Sequence, residues 1–199
     1  MENYSFYVVD TETSSLEIDC AILEASIYRL GDTGEEAQKT WFLKPFENDR
    51  IDNAALRVNG HKIEDFMHRT KEGREKYIDP HQAIIEMENF LSQDNLPAEK
   101  RCIIAHNTSF DKDRLEQLWI KCGSKDSWPF SRRYLDTMII ELAMDFAKGE
   151  FAQGYSLAAL AKKYGVVNKK AHTATEDVLA TKAIFEKQIE FLQKLMKNG

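Results

Sequence analysis

Asp10 and Glu12 stand two residues apart at the end of an apolar run, "FYVVDTETSSL" at 6–16. Residues i and i+2 of a strand point to the same side, so both carboxylates face one place. Unaided, their repulsion would raise one pKa. A hard divalent cation such as Mg²⁺, which takes oxygen ligands, relieves it. Two further segments end in a similar way. "IIAHNTSFDKDRL" (103–115) runs from an apolar strand through a polar turn to Asp111 in the first turn of a helix. "AHTATEDVLAT" (171–181) places Thr173 and Glu176 at capping-box spacing, which starts a helix at about Ala174. Asp177 then sits just beyond the first turn and His172 lies ahead of the cap. Inside a helix, five residues would separate these two by about 140°; with His172 on the loop, both can look into one cleft. Each feature alone has a plain explanation: an exposed acidic pair, an acid at a helix N-terminus, a surface histidine. Their convergence is what points to chemistry.

The elements that must position them are legible along the chain. "SFYVVD" (5–10) reads as a buried strand. "AILEASIYRL" (21–30) alternates, with Leu23, Ala25 and Ile27 on one face and Glu24, Ser26 and Tyr28 on the other. "GDTG" (31–34) is a turn, and "QKTWFL" (38–43) completes an antiparallel meander. "DNAALRVNG" (52–60) reads as a short helix from an Asp52 cap to a Gly60 stop. A helix over 80–93, a strand at 101–106 and a helix over 109–123 follow, the last capped by Thr108 or Ser109. "YLDTM" (134–138) is a short strand or its end. A helix over 156–165 and a final one from about Thr173 to Met196 complete the chain, the last with Val178, Phe185, Ile189, Leu192 and Met196 as its buried stripe. Three strands and then alternating strands and helices predict a mixed α/β sheet flanked by helices. Such sheets bind ligands beyond the carboxyl ends of their strands, where Asp10 and Asp111 fall.

A chain of 199 residues, 43% apolar and 30% charged, is expected to fold as one domain over residues 1–199. No apolar run approaches the roughly 20 residues that span a bilayer, and the N-terminus lacks the pattern of a signal peptide. Three widely spaced cysteines, Cys20, Cys102 and Cys122, suit a reducing, cytoplasmic setting and exclude a zinc site of paired Cys. The net charge is −6, yet residues 1–36 carry nine acidic side chains and one basic, leaving +2 for the rest. A protein that merely coats nucleic acid shows a stronger basic balance. An enzyme that meets phosphates through bound cations does not need one.

"VVDTET", "AHNTSFD" and "HTATED", in this order, resemble the three motifs of the DnaQ-like 3′→5′ exonucleases, the DEDD superfamily. The third has the H-x4-D form of the DEDDh branch. Thr173 stands where the tyrosine branch would have Tyr, four places before Asp177, which excludes that branch. "AALRVNGHKIEDF", "YLDTMII" and "YSLAALAKKYGV" resemble intervening family segments, so the similarity covers roughly residues 5–187. The resemblance implies an RNase H-like fold with a five-stranded sheet whose first three strands are antiparallel. It implies Asp10, Glu12, Asp111 and Asp177 as ligands of two Mg²⁺ or Mn²⁺ ions, and His172 as general base. Asp136 matches a recurring acidic position, for which a structural role is favoured. Thr11, Thr13, Leu16, Asn59, His106, Asn107, Phe110 and His172 are expected to meet the substrate. Among these, Leu16 would wedge against the terminal base, Phe110 would serve packing as well as substrate, and Asn59-Gly60-His61 would line the groove, His61 at the surface. Where the family commonly reads DTETTGL, this chain reads DTETSSL. Ser15 thus replaces a glycine beside the terminal nucleotide.

The expected activity is metal-dependent 3′→5′ hydrolysis releasing nucleoside 5′-monophosphates. Two metal ions can serve both the attacking and the leaving oxygen of a phosphodiester, and a histidine with a near-neutral pKa can take the proton of the attacking water. DNA with a single-stranded or frayed 3′ end is the favoured substrate, in proofreading or repair. The alternative is an exoribonuclease resembling RNase T or oligoribonuclease. A non-catalytic nucleic-acid-binding scaffold on a nuclease fold is a third reading, disfavoured because all five motif residues are present. A polymerase or other nucleic-acid-processing partner and a homodimer both stay open, although the polymerase-binding tail of a replicative proofreading subunit is not expected from these residues.

Overall fold

The computed structural model describes residues 4–31, 36–124 and 127–198. Its sheet runs β4-β3-β2-β1-β5-β6. β1 (Ser5–Thr13) pairs antiparallel with β2 (Ile22–Arg29), which pairs antiparallel with β3 (Ala37–Leu43). On its other side β1 is parallel to β5 (Arg101–Ala105), which is parallel to β6 (Tyr134–Asp136). The antiparallel meander and the helices on both faces match the sequence expectation. The sheet has one strand more than the five expected. β4 (Tyr77–Ile78) has two residues and pairs parallel with the end of β3, a segment too short to show a period. Most of the expected turn at 31–34 lies outside the described residues.

Alternation along β1 decides what each face receives. Tyr7 and Val9 pack with Trp41, Met87, Leu115 and Trp119, under α4 (Pro80–Ser92) and α5 (Thr108–Lys121). Val8 faces the other way and packs with Ile104, Val178 and Phe185 beneath α8 (Ala174–Asn198). Asp10 and Glu12 continue the Val8 face, so they emerge beside the start of α8. Each fully buried side chain of this kind is worth roughly 1.5–3 kcal/mol, so the register that aims the two carboxylates is strongly fixed. A one-residue slip would turn Val8 and both acids to the wrong face. A register shift between Glu12 and Thr13 breaks the regular ladder just beyond the two acids, the kind of irregularity that often re-aims a side chain beside a site.

α1 (Asn53–Asn59) begins at Asp52, whose side chain accepts from Ala54 N, and stops at Gly60. Gly60 has φ 74°, a left-handed conformation that glycine adopts without a Cβ penalty. α2 (Ile63–Phe66) and α3 (Lys71–Lys76) lead into β4. α6 (Thr137–Lys148), α7 (Leu157–Tyr164) and α8 are tied together by Glu141, which accepts from Tyr164 Oη at 2.5 Å and Gln188 Nε2 at 2.9 Å. Ser156 caps α7 by accepting from Ala159 N, as its sequence suggests.

Two helix starts differ from expectation. α5 is preceded by Asn107 in a left-handed conformation, φ 64°, with no cap from Thr108 or Ser109. Asp136 supplies it from across the sheet, accepting from Asn107 N at 3.2 Å and Thr108 N at 2.7 Å. The same carboxylate caps α6 through Met138 N and Ile139 N. At α8, the Thr173 hydroxyl donates to Lys170 O and the Thr173 carbonyl accepts from Glu176 N, so the side-chain capping box does not form. The apolar stripe of α8 also ends early. Val178 and Phe185 are buried, Ile189 and Leu192 are half-buried, and Met196 is 84% exposed, because the helix outruns the sheet.

Candidate active site

Four carboxylates from three segments of the sequence meet at the carboxyl ends of β1 and β5. Asp10 and Glu12 come from β1 and Asp111 from the first turn of α5, while Asp177 comes from the first turn of α8. Asp111 is 3% exposed and reaches the cluster around the sheet end. Thr11, on the opposite face of β1 from Asp10, holds it there: Thr11 N and Oγ1 both donate to Asp111 Oδ1 at 2.8 Å. Asp177 is positioned from both sides. Asn168 Nδ2 donates to its Oδ1 and His172 N to its Oδ2 at 3.1 Å. His172 has φ 66°, uncommon for a residue with a Cβ, and this bend turns the chain so that its ring is exposed beside the acids. One ring nitrogen of His172 and one carboxylate oxygen each of Glu12 and Asp177 lie within 4.8 Å of one another.

The start of α8 is anchored by groups that the sequence reading did not single out. Glu24, 3% exposed, is the partner of Glu12 across the β1–β2 ladder. Its Oε1 accepts from Thr175 N and Thr175 Oγ1, both at 3.2 Å. Gln38 Nε2 donates to Thr175 O, and Thr40 Oγ1 shares a hydrogen bond with Thr175 Oγ1. Asp177 follows two residues later. Glu24 Oε2 lies 3.5 Å from His61 Nε2, and His61 Nδ1 is 2.6 Å from Tyr77 Oη. His61 is therefore buried, at 8% exposure, and not at the surface as expected. The available signal was Glu24 itself, an acid inside a strand directly opposite a candidate ligand.

The electrostatics follow from crowding. Burial, then Asp111, Asp177, Glu12 and Glu24, push the Asp10 carboxyl well above the usual range. Burial and the neighbouring acids push Glu12 up to about 8. Burial pushes Asp111 up to about 7 despite its two hydrogen bonds from Thr11. Burial also raises Asp177, tempered by Asn168. Glu24 goes the other way: burial would raise it, but His61 and Thr175 outweigh that and hold it low. Raised carboxyls crowded by one another, with an imidazole alongside, form a hard oxygen-donor set whose repulsion a divalent cation would relieve. The residues present therefore fit divalent metal ions.

Beside the cluster lies a cavity of about 390 Å³, lined by Thr11, Glu12, Thr13, Leu16, Asn59 and Phe110 among others. Ala54, Ala55 and Val58 of α1 add to its apolar wall. Leu16 is 78% exposed at the rim. Asn59 Nδ2 donates to Thr13 O at 3.0 Å, and Thr13 Oγ1 donates to Ser15 O, which shapes the loop after β1. Phe110 is half-buried. His106 and Asn107 are not among the residues lining this cavity. His106 Nδ1 shares a hydrogen bond with Thr137 Oγ1 at 2.9 Å, and Asn107 forms the turn into α5. The three cysteines are free thiols, two of them buried.

No helix among the described residues is long and apolar enough to cross a membrane. A family model described as Exonuclease matches residues 7–185. No curated protein matches the chain by sequence. Among solved structures, the zinc-bound E. coli exonuclease I–ssDNA complex superimposes with a TM-score of 0.75 at 17% identity, over 97% of this chain and 42% of that one. Cell-death related nuclease 4 gives 0.73 at 15% identity, over 95% and 64%. Exonuclease I from Methylocaldum szegediense gives 0.70 at 17% identity, over 93% and 40%. The chain thus spans less than half of the exonuclease I chains and about two thirds of cell-death related nuclease 4. At these identities the likeness shows the fold. The match of the family model over most of the chain shows more: the chain belongs to the DnaQ-like, DEDDh-type exonuclease family.

Proposed function

We propose that this chain is a divalent-metal-dependent 3′→5′ exonuclease that releases nucleoside 5′-monophosphates, acting on DNA with a single-stranded or frayed end. The observation that carries the reading is the meeting of Asp10, Glu12, Asp111, Asp177 and His172 beside one small cavity. Divalent ions held by the four carboxylates would supply the positive charge that a phosphodiester needs and make a nearby water more acidic. The rest is done by the chain. Thr11 fixes Asp111, and Asn168 with the His172 backbone fixes Asp177, so the donor set is preorganised. The exposed ring of His172 takes the proton from the attacking water. A cavity of about 390 Å³ with an apolar wall suits one nucleoside better than a continuous strand, which favours attack at an end. Its aliphatic and aromatic lining offers packing to a base's flat face, which is tolerant of base identity. DNA is preferred over RNA because a neighbour in fold is solved with ssDNA.

The test is hydrolysis of 5′-labelled DNA and RNA oligonucleotides with Mg²⁺ and with chelator. A ladder shortening from the 3′ end that chelator abolishes supports the reading. Full activity in chelator overturns the metal-dependent mechanism, and a ladder on RNA alone moves the substrate to RNA ends.

A further inference from the structure

We propose that Arg114 is the positioning residue that holds both walls of the end cavity and so sets how tightly the terminal base is gripped. The inference rests on the exonuclease reading and names what governs substrate hold within it. Arg114 lies on α5 one turn beyond Phe110 and is itself buried, at 8% exposure. Its guanidinium carbon stands 3.4 Å from the centroid of the Phe110 ring. Nη1 donates to Phe110 O at 3.1 Å. Nη2 donates to Leu16 O, joining residues 98 apart in sequence. One side chain thus grips the aromatic wall by its ring and its carbonyl, and the aliphatic rim by its carbonyl.

The geometry asks for arginine in particular. A planar guanidinium can stack on a ring and donate in two in-plane directions at once, which a lysine ammonium cannot. Nε is buried without a hydrogen-bond partner, so the side chain gives up one donor to keep the other two contacts. The loop carrying Leu16 is otherwise tied to its own surroundings: Thr13 Oγ1 donates to Ser15 O, Ser14 Oγ to Arg50 O at 2.5 Å, and Glu17 N to Ser15 Oγ. Arg114 fastens this loop to α5, the helix that also carries Asp111. Lys121, at the far end of α5, also donates to this loop at Cys20 O, but Arg114 makes the contact at Leu16 itself; without it Leu16 is no longer held against Phe110, and a base between them loses its packing. The sugar and phosphate would face the carboxylates and Thr13, which Arg114 reaches only through its charge, felt at Asp111 and kept in Arg114→Lys.

The experiment is a pair of binding measurements with Mn²⁺ by calorimetry, using thymidine 5′-monophosphate and 2-deoxyribose 5-phosphate, on the wild type and on Arg114→Lys and Arg114→Met. Loss of one packed base face is worth ~tenfold in affinity. The Kd for the nucleotide should therefore rise ~tenfold in both variants, while the Kd for the sugar phosphate should change less than about twofold in Arg114→Lys, which keeps the charge felt by Asp111. Arg114→Lys keeps the positive charge and guards against a simple folding defect, and the melting temperature of each variant is recorded. Equal losses for both ligands would show a merely structural role and overturn the proposal, as would no loss for either. Wild type that trims oligonucleotides while the variants keep its ligand ratio refutes this inference alone. Wild type that neither trims nor binds the nucleotide refutes the exonuclease reading and this inference with it.

Discussion

Removing divalent metal should make this fold lose stability as pH rises from 5 to 8, with Asp10→Asn suppressing much of the effect. The sign follows from the direction of the shifts. Glu12 is pushed up to about 8 and Asp111 up to about 7, from ordinary values of 4.5 and 3.8. The folded chain therefore binds more protons than the unfolded one across this window, and stability falls as pH rises through it. Below about 4.5 both states hold the proton and the penalty is absent; above about 8 it is complete. Glu12 taken alone would lose on the order of 5 kcal/mol. The protons are shared among coupled acids and the cleft is partly open to water, so we take on the order of 3 kcal/mol for the cluster. In a domain of this size that is about 6–12 °C in melting temperature. Carboxylates held low, such as Asp94, Glu141 and Asp145, lose their stabilisation at more acidic pH, outside this window; His106, which burial holds below its usual value, works the other way and adds stability as pH rises towards about 6.5, so the fall is read most cleanly between pH 6.5 and 8. The assay is thermal unfolding in chelator and in saturating Mg²⁺ at pH 5, 6, 7 and 8. Asp10→Asn, which removes one charge from the crowd, should match the metal-free wild type at pH 5 and exceed it at pH 8. Mg²⁺ should stabilise the wild type far more at pH 8 than at pH 5, where protons compete for the same oxygens. A metal-free melting temperature that is flat or rising from pH 5 to 8, or an equal Mg²⁺ effect at both ends, would refute the reasoning.

Three further outcomes are expected. His172→Ala should lower kcat by roughly 10²- to 10⁴-fold, as loss of a general base does, while keeping most of the Mn²⁺-induced rise in melting temperature; an unchanged kcat would remove His172 from that role. Asp136→Ala deprives two helix starts of four backbone acceptor contacts and should cost about 2–4 kcal/mol, seen in urea unfolding as a lower midpoint at unchanged slope. A loss under about 0.5 kcal/mol would show that water replaces it. Glu24→Ala should loosen the start of α8, leaving Thr175 N and Thr175 Oγ1 without their acceptor; activity should fall with a weakened apparent Mg²⁺ affinity, and an unchanged Mg²⁺ dependence would argue that Gln38 and Thr40 hold Thr175 unaided.

Local signals were strong where local physics decides. The apolar run into Asp10 and Glu12, the Asp52 and Ser156 caps and the stops at Gly60 and Gly165 all depend on neighbours within a few residues. The meander was legible because β2 alternates, yet alternation does not say what covers each face. Glu24 and Ser26 lie on the face that α8 covers, and a helix 150 residues away leaves no trace in the period. Separation along the chain likewise hid the cap on α5, which comes from Asp136 on β6, and the pairing of His61 with Glu24. The apolar period of α8 continues to Met196, which is nonetheless exposed, because periodicity does not show where a helix leaves its packing partner. For the candidate site, the sequence named the acids and His172 by their motifs. The groups that aim them, Thr11 on Asp111 and Asn168 on Asp177, are visible only once the fold brings them within hydrogen-bonding distance.

The most direct measurement is a time course on matched 5′-labelled single-stranded DNA and RNA in Mg²⁺, with Asp177→Ala protein alongside to exclude contaminants. The account predicts a DNA ladder that shortens from the 3′ end one nucleotide at a time, disappears in chelator and is absent with Asp177→Ala. Binding of both oligonucleotides without any shortening, or a ladder that Asp177→Ala leaves intact, would contradict it.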